Sequence, residues 1–239
     1  MKFVEIFPLA YSGPVAMPKI PNLGACPTPP DQRVRLDMPE GPERFLRSLF
    51  LQWNPAARDR RDPVTEDELT QWILGMLKGK TSPEIDEAFY YQTWPIGWRL
   101  IGLLRRFGVR VEVIDDQEFV GRYGNQKVGH YVYRFRLIHV KRSYLFDTDG
   151  SVVLHELGHA IDHLISSLCN GGYHASVKLW HWFAPQRKGF VTRYASTKPA
   201  EYLAESVEAY FIRDDYLLLQ RLDPAMFIFL DDLFTISAG

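Results

Sequence analysis

His155, Glu156 and His159 occur in the order His155-Glu156-Leu157-Gly158-His159, a spacing with a specific chemical use. On a helix, positions i and i+4 share a face with Cβ atoms about 5–6 Å apart. Two imidazoles held that way can each direct a nitrogen at one zinc ion at about 2.0–2.1 Å. Glu156 then stands beside the metal without ligating it, where a general base for water attack is needed. The competing reading is a chance pentapeptide on a surface helix, expected from residue frequencies in roughly one chain of this length in a hundred. The flanks weigh against it. Val152, Val153 and Leu154 precede the motif, and Ala160, Ile161, Leu164 and Ile165 come after it. A helix this apolar is buried, and two histidines with a glutamate inside it need a partner.

The third ligand is marked less sharply. Where an HExxHxxGxxH pattern carries its last histidine, this chain has Ile165. His163 lies two turns past His155, about 12 Å along the axis, and cannot share its metal. His174 and His181 stand in an expected loop and remain candidates. The stronger one is downstream, where Pro199–Tyr210 reads as a buried helix that nevertheless carries Glu201, Glu205 and Glu208. Glu201 and Glu205 share one face, as a zinc ligand and a carboxylate supporting it would. A solvated acidic face is the bland alternative. It suits Glu208 well, and Glu201, beside Tyr202 and Leu203, less well.

The elements that must position these residues are legible in the pattern. Residues 1–43 hold nine of the 16 prolines and read as an extended arm. Residues 44–108 read as a helical N-terminal region. Glu43–Trp53 shows one apolar face, Thr65-Glu66-Asp67-Glu68 is a capping box, Ser82-Pro83-Glu84 starts a helix, and Pro95 splits the segment after it. Trp94 and Trp98 fall at core-packing spacings. At Val109 the texture changes. Val109–Ile114 and His130–Val140 read as strands, with a turn region at Gly121–Gly129 between them and Leu145-Phe146 as a continuation of the sheet. Helical spacing returns at Ser151–Leu168, Pro199–Phe211 and Asp223–Ile236. Helices, a small sheet, then helices again imply an α+β fold.

Composition sets outer bounds. In 239 residues, 46% are hydrophobic and 14% aromatic, enough for a sizeable core without staples. The net charge of −1 gives no bias toward nucleic acid or anionic membrane. No segment has the apolar length to insert in a bilayer. Cys26 and Cys169, far apart, read as reduced thiols. Glu5 and Pro8 interrupt the first apolar run, so no secretory signal is read there; cytoplasm and unmarked export both stay open.

His155-Glu156-Leu157-Gly158-His159-Ala160-Ile161-Asp162 resembles the active-site helix of the anthrax lethal-factor-like metalloproteases, which include the bacterial Pro-Pro endopeptidases. In that family the third zinc ligand is a glutamate in an E-x-x-x-E pattern, with a tyrosine seven residues before it. Tyr194, Glu201 and Glu205 match that spacing. The resemblance covers residues 145–215 and implies a zincin-like catalytic region over 109–239. It implies one zinc per chain held by His155, His159 and Glu201, with Glu156 as base and Tyr194 as oxyanion stabiliser. Glu205 would be an outer carboxylate orienting a ligand histidine, with Asp162 in a similar supporting role or on the helix surface. The expected activity is hydrolysis of a peptide bond in a peptide or protein substrate, which the edge of the His130–Val140 strand could pair with. Two other readings fit the same residues. One is a zinc hydrolase acting on a small amide or a biosynthetic peptide intermediate. The other is a binding protein in which zinc only locks two helices together.

Overall fold

The computed structural model describes residues 65–79, 81–147, 150–169 and 174–238. The expected proline-rich arm and the Glu43–Trp53 helix lie outside them. α1 (Glu66–Leu74) starts at its capping box: Thr65 Oγ1 accepts from the Glu68 amide at 3.2 Å, and Glu68 Oε2 accepts from the Thr65 amide at 3.1 Å. α2 (Pro83–Thr93) opens on Pro83, where a missing amide costs nothing. Pro95 ends it in a 3-10 turn over Trp94–Ile96, which leads into α3 (Trp98–Phe107). Trp98 is buried and Trp94 packs on the core.

The sheet has three strands, β1 (Arg110–Ile114), β2 (Gly129–Val132) and β3 (Leu137–Lys141), in the order β1-β3-β2. β1 runs parallel to β3, and β2 antiparallel to it with His130 opposite His139. Three expectations are corrected here. His130–Val140 is a hairpin rather than one strand, because the chain turns through a 3-10 segment over Tyr133–Phe135 to Arg136 at φ 51°. The Arg136 guanidinium holds that turn by donating to the Phe107 carbonyl at 2.7 Å and stacking on the Phe107 ring. The expected turn at Gly121–Gly129 is shorter than that: α4 (Asp116–Tyr123) takes its first three residues, with Phe119 fully buried, and β2 takes Gly129. Leu145 closes a short helix, α5 (Arg142–Leu145), instead of extending the sheet.

The C-terminal part is helical: α6 (Val152–Cys169), α7 (Ala175–Phe183), α8 (Pro199–Phe211), α9 (Arg213–Leu222) and α10 (Pro224–Ala238). α7 and α9 had no sequence expectation; His181, expected in a loop, lies within α7, and His174 is that helix's N-cap. α6 begins at Ser151, whose Oγ accepts from the Leu154 amide at 3.1 Å and is itself held by Gln92 Oε1 at 2.6 Å. Leu154, Leu157, Ile161, Leu164 and Ile165 bury the helix against Leu203 and Val207 of α8 and the sheet. Each such side chain, fully buried, stabilises the fold by about 1.5–3 kcal/mol. One hydrophobic core joins α1–α3 to the C-terminal helices, from Ile73 to Phe234. Among the described residues no helix is long and apolar enough to cross a membrane.

Candidate metal centre

α6 and α8 cross so that the histidines of one face the glutamates of the other. Gly158 permits this approach. A Cβ built there would lie 2.7 Å from the Cα of Ala204 on α8, closer than any side chain tolerates. Across that contact, Glu201 Oε2 lies 3.4 Å from His155 Nε2 and 3.3 Å from His159 Nε2. The three side chains are nearly buried and form a group able to hold a metal ion.

The residues fit zinc on two grounds. Ligands at about 2.0–2.1 Å in a tetrahedron stand about 3.3 Å apart, the separation found between Glu201 and both histidines. Glu201 Oε2 and His159 Nδ1 are also buried without a hydrogen-bond partner among the described residues, a costly arrangement unless a further group satisfies it. The electrostatics agree. Burial opposes a charged His155, yet Glu201, Glu205 and Glu208 outweigh it and lift the imidazole to about 12. Burial also pushes Glu201 upward, but the two histidines hold it well below the usual carboxylate range. This pocket calls for positive charge.

Behind His155 the carboxylates continue. Its Nδ1 lies 3.0 Å from Glu205 Oε1 and 3.5 Å from Glu208 Oε2. Thr192 Oγ1 donates to the other Glu205 oxygen at 2.6 Å. Burial opposes ionisation of Glu205, and His155 and Thr192 overcome it. Glu208 is not the solvated acid its sequence neighbours suggested. Its Oε1 accepts the Ser151 amide at 2.8 Å, so one carboxylate caps the start of the motif helix and also approaches His155.

Glu156 is 5% exposed, and burial pushes its carboxyl upward against the pull of His159 and His155. The Tyr131 amide of β2 is near enough to favour the ionised carboxylate. Tyr194 stacks on His155, centroids 6.2 Å apart, with its hydroxyl near Glu201. Burial and then the Glu201 charge raise that phenol. The loop carrying Thr192 and Tyr194 is anchored by Arg187, whose guanidinium lies 4.5–4.8 Å from the rings of Phe190, Trp180 and Tyr202.

Asp162 serves elsewhere, and neither expectation for it holds. Fully buried, it accepts from the Ser176 amide at 2.9 Å and Ser176 Oγ at 2.7 Å, tying α6 to the start of α7, with His174 Nδ1 at 3.4 Å. His163 turns away from the centre and bonds the Tyr131 hydroxyl at 2.8 Å. Glu208, Thr192, Arg187 and the Tyr131 amide escaped sequence reasoning. Only Glu208 left a signal, as a third acid on a helix otherwise buried.

Fold and motif helix define the class: an α+β, zincin-like fold with a small mixed sheet beside the motif helix, preceded by a helical region. Over residues 116–233 the chain matches the family described as "Anthrax toxin lethal factor, N- and C-terminal domain". Its fold is similar to that of the Pro-Pro endopeptidase from Paenibacillus alvei. The TM-score is 0.51 at 18% identity, over 68% of this chain and 100% of that one. No curated protein matches the chain by sequence.

Proposed function

We propose that the chain is a zinc-dependent metallopeptidase with one metal per chain, hydrolysing a peptide bond in a peptide or protein substrate. The observation that carries this reading is the convergence of His155, His159 and Glu201 beside the buried, non-ligating Glu156. The lethal-factor family and the endopeptidase with a similar fold support it. His155, His159 and Glu201 would hold the zinc ion, which would supply Lewis acidity and make water a readier nucleophile. Glu156 accepts a proton from the attacking water at its carboxylate and returns it to the leaving nitrogen. The Tyr194 hydroxyl donates to the oxygen on which charge develops. Glu205 accepts from His155 Nδ1, which fixes the tautomer and leaves Nε2 for the metal. The substrate lies extended beside β2, the antiparallel edge strand.

The test uses wild type, Glu156→Gln, Tyr194→Phe and Glu201→Ala, with bound zinc measured and a peptide library read by mass spectrometry. Expected are one zinc per chain in the first three, weakened binding in Glu201→Ala, and efficient cleavage by wild type alone. Tyr194→Phe should lose about 10²–10³ in rate. Absence of zinc from every form overturns the reading, and zinc without cleavage overturns the peptidase part.

A further inference from the structure

β2 forms hydrogen bonds to β3 through alternate residues. The Lys141 amide donates to Val128 O at 2.9 Å, so with the observed register Val128, His130 and Val132 face β3. Gly129 and Tyr131 therefore turn their backbone groups to the open edge. The face of β2 that carries Gly129 lies on α6. A Cβ on Gly129 would stand 2.6 Å from Glu156 Oε1, 2.7 Å from Glu156 Cγ and 2.6 Å from Val152 Cγ2. Only a glycine leaves room for the carboxylate here, and two residues on, the Tyr131 amide on the same edge favours its ionised form.

We propose that Gly129 and the Tyr131 amide are positioning groups for Glu156, the amide donating to its carboxylate: the backbone of the edge strand sets where the carboxylate stands. The inference rests on Glu156 as the base. It deepens that reading, because an edge amide engaged by an enzyme side chain is not offered to a substrate. A peptide beside β2 then meets the Gly129 and Tyr131 carbonyls as acceptors. A carboxylate held this way is pre-organised, and displacement by about 1 Å costs on the order of 10²-fold in rate.

Two readouts test this, one independent of activity. In the zinc-loaded protein, amide exchange followed by NMR should show Tyr131 protected, with Glu156→Ala speeding its exchange about tenfold or more. The His130 and Val132 amides, which face β3, should not change. Separately, Gly129→Ala should keep its zinc and its KM while kcat falls about 10²-fold. Adding Val152→Ala to Gly129→Ala should recover thermal stability but not kcat, because the contact with Glu156 remains. Unchanged Tyr131 exchange in Glu156→Ala overturns the inference, whether or not the protein cleaves peptides. Full recovery of kcat by Val152→Ala also overturns it, since Gly129 would then serve packing alone. A wild type that cleaves nothing defeats the peptidase reading, while the exchange rates still decide the contact.

Discussion

Gly158 of the metal-site helix and Ala204 of α8 meet backbone to backbone: a Cβ on the glycine would fall 2.7 Å from the Ala204 Cα. A side chain at 158 can be accommodated only by moving one helix off the other. Gly158→Ala should therefore cost about 1–3 kcal/mol in stability and weaken zinc binding, since Glu201 rides on α8. Ala204→Gly should not rescue it, because the closest atom belongs to the backbone. Thermal melts and zinc titration of both single variants and the double variant check this; a double variant with wild-type affinity would refute it.

Glu205 and Glu208 both approach His155 Nδ1 but differ in their second partner. Glu205 is held by Thr192 and should act mainly on the metal, so Glu205→Ala should weaken zinc about 10–100-fold. Glu208 also caps the helix at Ser151, so Glu208→Ala should lower stability by about 0.5–2 kcal/mol even in the metal-free chain. Competition with a chromophoric chelator and denaturant melts without metal separate the two. Equal effects in both assays would refute the division.

Arg187 sits among Trp180, Phe190 and Tyr202, on the loop that delivers Tyr194. A lysine keeps the charge but not the flat guanidinium that three rings can stack on. Arg187→Lys should cost about 1–2 kcal/mol and lower kcat through Tyr194. Zinc content should persist, since the proposed ligands lie on α6 and α8. Activity equal to wild type in a destabilised protein would separate Arg187 from the site.

Removing the metal leaves a proton in its place. With a pKa of about 12, His155 is charged in the metal-free chain at neutral pH and must shed that proton to bind zinc. Calorimetric titration at pH 7 in buffers of different ionisation enthalpy should report about one proton released per zinc; no dependence on buffer would contradict it. The folded pKa lies above the ordinary 6.5. This group's contribution to metal-free stability is thus full below about pH 6.5 and lost as pH rises toward 12.

The motif helix was legible because its apolar residues recur at helical spacing on both sides of the histidines, a local signal. The same holds for the Thr65–Glu68 capping box, the break at Pro95 and the helix bearing Glu201. The hairpin at 129–141 was not, because Arg136 takes a left-handed turn without glycine or asparagine and is held there by Phe107, distant in sequence. Glu208 looked solvated for a similar reason: its partner, the Ser151 amide, lies 57 positions away. Asp162 sits one turn past His159, but its bonds are made by Ser176 on the next helix. Sequence spacing shows which residues share a face, and what that face meets is decided by tertiary packing.

A metal bridging α6 and α8 is also a clasp. It would join His159 to Glu201 across roughly forty residues of chain, and closing so long a loop removes more freedom than closing a short one. Within that loop lie α7, the Arg187 anchor and Tyr194. Loading the ion would thus shut a ring whose contents include the Tyr194 segment, and chelation would open it. Occupancy of the proposed centre and order of its surroundings would then be a single equilibrium.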